Sequence, residues 1–246
     1  MVYGGLSWLT KRPVAHRGLH DSKAGIVENT LPAFAAACDA GYAIEADLWL
    51  SSDGVPVVFH DETLERLAGK TERVSETPSA VLESTSLAKG DAGIPALDDL
   101  LSLVAGRVPV LLELKPHAEQ DGITDAVIER VTSYAGPIAI MSFDPRILMR
   151  AREMAPHLPR GILGPVKMPI PHLALRHRFV LNHYLHIRKT APHFVGHEQR
   201  YLPAFAPLFM RWGLGMPLLT WTVKDERAAR RKGFWANQII FEGFRP

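Results

Sequence analysis

Short apolar runs of strand length alternate with longer helix-like stretches along almost the whole chain, and this alternation most constrains the fold. Pro13 to His16, Tyr42 to Leu48, Val55 to Phe59, Val108 to Leu114, Ile138 to Met141, Gly161 to Leu163, Phe194-Val195, Pro217 to Val223 and Gln238 to Phe241 read as strands. Thr30 to Gly41, Leu97 to Ala105, Asp121 to Tyr134, a segment opened by Asp144-Pro145, Leu173 to Ile187, Pro203 to Trp212 and Asp225 to Lys232 read as helices. Pro32 and Pro145 fall in the first turns of two of these, where a missing N–H costs nothing. Strands that alternate with helices imply a parallel sheet. The length, 246 residues, is that of a barrel of eight strand–helix units.

Residues 62–95 break the rhythm. They are rich in Thr, Ser, Glu, Gly and Pro, and the regular pattern resumes after them, so they read as an insertion. Asp53-Gly54, just before, is a hairpin-turn signal. The single cysteine, Cys38, excludes an intramolecular disulfide and fits a reducing compartment. Lys11 and Arg12 follow rather than precede the first apolar patch, and no apolar run is long enough to span a bilayer. The expected location is cytoplasmic. Charge is uneven: residues 1–143 carry 11 Lys/Arg against 20 Asp/Glu, and residues 144–246 carry 17 against 6. Such asymmetry marks either an anionic partner or merely a basic flank.

Polar residues recur at the C-terminal ends of the expected strands: His16-Arg17, Glu45 and Asp47, His60-Asp61, Glu113 and Lys115, and Trp221. In a parallel barrel those ends share one face, and the site lies there. Glu45 and Asp47 are two apart on a strand and so point the same way. Two carboxylates side by side are costly unless neutralised. A divalent cation would neutralise them, with Glu113 as a third oxygen ligand; salt bridges or solvent would also do so. An all-oxygen set favours Mg2+ or Ca2+ and does not choose between them. His16 and His60 are candidate acid and base, because imidazole titrates near neutrality. Arg17 and Lys115 are suited to phosphate oxygens, or to pairing with the carboxylates. Together the residues supply what metal-assisted phosphoryl chemistry requires.

The runs Val14-Ala15-His16-Arg17-Gly18, Glu28-Asn29-Thr30-Leu31-Pro32-Ala33-Phe34, Glu45-Ala46-Asp47-Leu48, Val57-Val58-Phe59-His60-Asp61-Glu62-Thr63-Leu64 and Glu113-Leu114-Lys115, in that order, resemble the glycerophosphodiester phosphodiesterase family. Ser142-Phe143 and Thr220-Trp221-Thr222-Val223 extend the resemblance more loosely. It implies a (β/α)8 TIM barrel as a single domain over residues 1–246, with a small insertion after the second barrel strand at about 51–107. It implies one divalent metal on Glu45, Asp47 and Glu113, and His16 and His60 as the acid/base pair. Arg17, Lys115, Asn29 and Trp221 are then the residues of the phosphate and substrate site. The implied reaction cleaves a small-molecule phosphodiester to sn-glycerol 3-phosphate and an alcohol, with a vicinal substrate hydroxyl attacking first and water opening the resulting cyclic phosphate.

The sequence departs from the family at both ends of its second half. Ile239-Ile240-Phe241-Glu242-Gly243 lacks the Thr-Asp that many relatives carry, and Glu242 is either a neighbouring substitute or a solvated end. Residues 164–212 match poorly. Their Arg176, Arg178, Arg188, Lys189, Arg200 and Arg211, among Phe179, Tyr184, Phe194, Phe205, Phe209 and Trp212, raise a minority expectation of peripheral contact with an anionic membrane surface. A lipid-active relative and a barrel that only binds phosphoesters are the competing readings. No nucleic-acid-binding motif accompanies the basic residues, and no nucleic-acid partner is expected.

Overall fold

The structure is a computed structural model that describes residues 4–87, 92–116, 122–165, 175–232 and 234–246. Nine strands form one sheet: β1 (Val14–Ala15), β2 (Ala43–Leu50), β3 (Pro56–Val58), β4 (Val110–Leu114), β5 (Ile138–Ser142), β6 (Arg160–Gly164), β7 (Phe194–Glu198), β8 (Leu218–Val223) and β9 (Gln238–Phe241). The strand order is β1-β9-β8-β7-β6-β5-β4-β2-β3, and β1 also pairs with β2. All strands but β3 therefore close on themselves as an eight-stranded barrel with helices between strands, a TIM barrel. Among the pairs whose register is described, only β2–β3 is antiparallel. The chain divides into two compact units, Val14–Ala139 and Met1–Pro13 with Ile140–Pro246.

In the first unit, β2 lies between β1 and β4, and all eight of its residues are buried. That is the expectation for a parallel strand covered on both faces. The helix Leu31–Asp39 buries Ala33, Phe34, Ala37 and Cys38 on one stripe and packs against the helix Leu97–Val104. The Asp99 side chain accepts from the Ala96 N–H at 3.0 Å at the start of that second helix. Beyond β2, the chain reverses at Asp53-Gly54, where Gly54 has φ 79° and the Ser51 N–H donates to Val55 O at 3.0 Å. β3 then runs back along β2, with Leu48 opposite Val58. The polar-looking insertion is ordered by its own apolar core: Leu64, Val74, Leu82, Leu87 and Ile94 pack with Trp49, Val57 and Phe59. Each such side chain is worth about 1.5–3 kcal/mol when fully buried, enough to offset the nucleation cost of helices as short as Glu65–Ala68 and Ser79–Glu83.

In the second unit, β5 to β9 pair in sequence order around a core of Leu148, Ile162, Tyr184, Val195, Leu202, Met210, Met216, Leu218 and Ala236. Asp144 caps the helix Pro145–Met154 through a 2.8 Å bond from the Arg146 N–H, as its sequence predicts. The expected helix Leu173 to Ile187 begins outside the described residues. Within them it is two pieces, Leu175–Asn182 and Ile187–Thr190, because Tyr184 takes φ 56° and turns its ring into the core. Tyr184 and Phe194 are therefore core residues and not surface aromatics. The expected helix Pro203 to Trp212 is a single α turn, Phe205–Leu208, that loosens into a π turn over Phe209–Gly213. No helix among the described residues is long and apolar enough to cross a membrane.

Candidate active site

Eight of the expected site residues, His16, Arg17, Asn29, Glu45, Asp47, His60, Glu113 and Lys115, come from the first unit, and the chain path explains how they meet. At the end of β1, Arg17 and Gly18 both take positive φ, 56° and 77°. A Cβ on Gly18 would lie 2.9 Å from the Ala33 carbonyl carbon, so the turn accepts only glycine. This turn aims the Arg17 N–H at Glu45 Oε2, 2.9 Å away, and places His16 Nε2 4.0 Å from the same oxygen. Asn29, also at φ 56°, donates its N–H to Arg17 O at 3.0 Å and its Nδ2 to Asp47 Oδ2 at 2.9 Å.

Glu45 and Asp47 alternate with Ile44, Ala46 and Leu48 along β2, and the parallel register sets Asp47 directly beside Glu113 of β4. Ligand oxygens of Glu45, Asp47 and Glu113 lie within 4.8 Å of one another, and all three residues are buried. Lys115 follows β4, its N–H donating to Leu48 O, and its Nζ pairs with Asp47 Oδ1 at 2.7 Å and with Glu113 Oε1. The β2–β3 hairpin returns the chain so that the Phe59 N–H donates to Asp47 O at 3.0 Å, and Trp49 Nε1 donates to His60 O at 3.0 Å. His60 thus stands at the same end as the carboxylates.

The electrostatics separate the acidic groups. Burial raises the Asp47 carboxyl, but Lys115 and Arg17 outweigh it and hold the group well below the usual carboxylate range. Glu45 has no such support: burial, with Asp47 and Glu113 facing it, pushes its carboxyl up to about 8 despite His16 and Arg17. Three close carboxylates, one of them short of positive charge, are what a divalent cation neutralises, and their oxygens are hard donors. The residues present therefore fit a single hard metal ion. Salt bridges, the other reading of the β2 carboxylates, account for Asp47, which pairs with Arg17 and Lys115, while Glu45 has, among the described residues, only the His16 imidazole at 4.0 Å. Burial also holds the His60 imidazole below its ordinary range, against the pull of Asp47 and Asp61.

Sequence reasoning missed the layer behind these groups. His60 Nδ1 lies 2.7 Å from Asp61 Oδ1, and Arg17 Nη1 lies 2.6 Å from Glu28 Oε1. Arg66, from the insertion, joins both carboxylates: Nε to Asp61 Oδ2 at 2.5 Å, Nη2 to Glu28 Oε1 at 2.6 Å and Nη1 to Glu28 Oε2 at 3.1 Å. No periodicity or spacing singles out this arginine in a polar stretch. Trp221 belongs to the second unit. It sits half-buried on β8, edge-on to Phe143 at 5.6 Å, with its Nε1 buried and without a hydrogen-bond partner among the described residues.

The model of the glycerophosphoryl diester phosphodiesterase family matches residues 16–241. A glycerophosphodiester phosphodiesterase of Caldanaerobacter subterraneus subsp. tengcongensis is 34% identical over 180 residues, covering 66% of this chain and 71% of that one. One from Bacillus altitudinis is 30% identical over 166 residues, covering 61% of this chain and 64% of its own length. Among solved structures, an Oleispira antarctica phosphodiesterase in complex with the product sn-glycerol-3-phosphate superposes with a TM-score of 0.78 at 23% identity, covering 95% of this chain and 93% of that one. A glycerophosphodiester phosphodiesterase from Thermotoga maritima gives 0.72 at 24% identity, with 94% of each chain covered. At these identities the structural likeness establishes the shared fold.

Proposed function

This chain belongs to the glycerophosphoryl diester phosphodiesterase family and is a phosphoric diester hydrolase, and on that premise we propose that it cleaves glycerophosphodiesters to sn-glycerol 3-phosphate and an alcohol, with His16 and His60 as its acid/base pair. The observation that carries this reading is the convergence of two histidines, three carboxylates and two cations at one end of β1, β2 and β4. A hard divalent ion, Mg2+ or Ca2+, held by Glu45, Asp47 and Glu113 would supply charge neutralisation for phosphate oxygens.

The chain's own groups do the rest. Arg17 and Lys115 lay fixed positive charge where a phosphate collects negative charge, and their pairing with Glu28, Asp47 and Glu113 holds them in place before substrate arrives. With Nδ1 directed at the Asp61 carboxylate, His60 keeps its Nδ1 proton and presents the Nε2 lone pair. Its Nε2 is then the atom that accepts the proton of the attacking hydroxyl. His16, beside the Glu45 carboxyl, delivers a proton to the departing alcohol. The attacking hydroxyl is the one vicinal to the phosphate, and water then opens the cyclic phosphate with the two roles reversed.

The test is release of sn-glycerol 3-phosphate from glycerophosphocholine and glycerophosphoethanolamine, in EDTA and with each ion. His16→Ala and His60→Ala would each lose about 100- to 10,000-fold. A diester with a nitrophenol leaving group, which departs without a proton, would rescue His16→Ala and not His60→Ala. Rescue of His60→Ala alone would reverse the assignment, and equal rescue of both would abolish it. A substrate lacking the vicinal hydroxyl would turn over poorly; equal turnover would remove the cyclic step. Activity on intact lysophospholipid but not on the deacylated head group would shift the substrate to lipids.

A further inference from the structure

The second unit carries an aromatic surface that the proposed chemistry does not use. Phe205 and Phe209, four residues apart on the loosened helical segment, are exposed at 84% and 52%, and their rings stack at 6.0 Å. The opposite side of the same segment, Pro207 and Met210, is buried. Trp212, 58% exposed, packs at 6.1 Å on Trp235, whose own ring meets Phe234 edge-on at 4.8 Å. Phe234 is 69% exposed, while Trp235 is partly buried against the core and so anchors the group. Arg211 ties the two segments together, its guanidinium lying 5.6 Å from the Trp212 ring centre and donating to Phe234 O at 2.9 Å. Soluble surfaces rarely present this many large exposed aromatics on neighbouring segments without a use for them.

The charge on the segment that precedes Phe234 is predominantly positive, with Glu226 paired to Arg230 at 3.2 Å. The helix Glu226–Lys232 leads directly into Phe234 with Arg227, Arg230 and Arg231 exposed, and no Asp or Glu occurs from Arg227 to Phe241. Aromatic rings that are apolar on one side and polar at the rim prefer the boundary between lipid head groups and acyl chains, and arginines beside them attract anionic head groups. A second copy of this face is a poor match, because a two-fold contact would set the arginine-bearing surface against itself.

We propose that the face formed by Phe205, Phe209, Trp212 and Phe234, with Arg211, Arg227 and Arg231, docks this protein on an anionic lipid bilayer. The surface differs from the one its sequence suggested: it extends past residue 212 to Phe234 and excludes Tyr184 and Phe194. The test is vesicle flotation of the full chain, with phosphatidylcholine alone and with phosphatidylcholine mixed with phosphatidylglycerol, at low and high salt. The chain is expected to float with the mixed vesicles only, and to be released by salt. Phe205→Ala with Phe209→Ala should weaken partitioning on the order of tenfold or more, as should Arg227→Glu with Arg231→Glu. Both pairs should leave turnover of soluble glycerophosphocholine and the unfolding midpoint unchanged. Should the aromatic pair lower the midpoint, the charge-reversed pair, on exposed helical positions, decides alone. Failure to float with the mixed vesicles overturns the proposal, as does equal binding to neutral ones. A concentration-dependent dimer in sedimentation, broken by the same substitutions, would assign the face to a second copy instead.

Discussion

Arg66→Ala tests whether the insertion supports the chemistry or only decorates the barrel. The substitution deletes the three hydrogen bonds by which one guanidinium joins Glu28 to Asp61. Arg66 is 45% exposed at its side chain, so solvent discounts these pairs; at ~0.2–1 kcal/mol each, the loss of stability is about 1–2 kcal/mol. For a chain of this size that lowers the unfolding midpoint by only a few degrees, about 2–4 °C per kcal/mol. The effect on turnover should be larger. Asp61 orients the His60 ring and Glu28 orients Arg17, and loss of such a supporting partner costs about 10- to 100-fold. The assay is steady-state hydrolysis of glycerophosphocholine beside thermal unfolding, for Arg66→Ala, Arg66→Lys, Asp61→Asn and the Arg66→Ala/Asp61→Asn double variant. The loss should fall on kcat. Lysine, a point charge without a planar fork, should recover only part of it. The double variant should be no worse than about the poorer single, since both act through His60. Turnover within about twofold of the wild type in a folded Arg66→Ala protein would refute the reasoning.

Chelation should lower the unfolding midpoint, and readdition of Mg2+ or Ca2+ at a hundredfold excess over the dissociation constant should restore about 2.7 kcal/mol; Asp47→Asn should remove this response, and a midpoint indifferent to chelator would count against the metal site. Burial pushes His197 down to about 4 from an ordinary 6.5, and its Nδ1 lies 2.7 Å from the Tyr184 hydroxyl. The unfolded chain therefore binds the extra proton first, so stability present above pH 6.5 is lost as pH falls towards 4, by up to about 3 kcal/mol; urea titrations across that range should show the loss, and His197→Gln should flatten it. Gly18→Ala should cost about 1–3 kcal/mol and depress turnover, because it meets both a positive φ and the Ala33 backbone. Gly54→Ala, with similar φ and open space, should cost less and leave turnover intact; equal effects at the two sites would show that the clash does not matter.

The parallel barrel was legible because its strands are apolar runs between amphipathic stretches, and β2 and β4 fall within two residues of where the sequence places them. The meeting of Glu45, Asp47, Glu113 and His16 was legible because residues at the ends of parallel strands converge whatever their separation in sequence, whereas His60 arrives by the antiparallel return of β3. The second half was less legible. The π turn at Phe209 accompanies the burial of Met210 in the core, a tertiary contact that no local propensity reports. Tyr184 looks like a surface aromatic among cations until its hydroxyl finds His197. Arg66 escaped for a different reason: its partners lie 38 and 5 residues away, and only the folded insertion brings the three together.

One feature of β2 bears on how this chain can change over time. All eight residues are buried, its register is fixed by neighbours on both sides, and its carboxylates depend on period two. Loss or gain of one residue between Ala43 and Asp47 would swing a carboxylate from the ligand cluster into the apolar layer beneath the helices, and no single compensating substitution would bring it back. Length change in this chain is therefore closed off along β2 and β4 and confined to connections such as the insertion, where the sheet sets no parity.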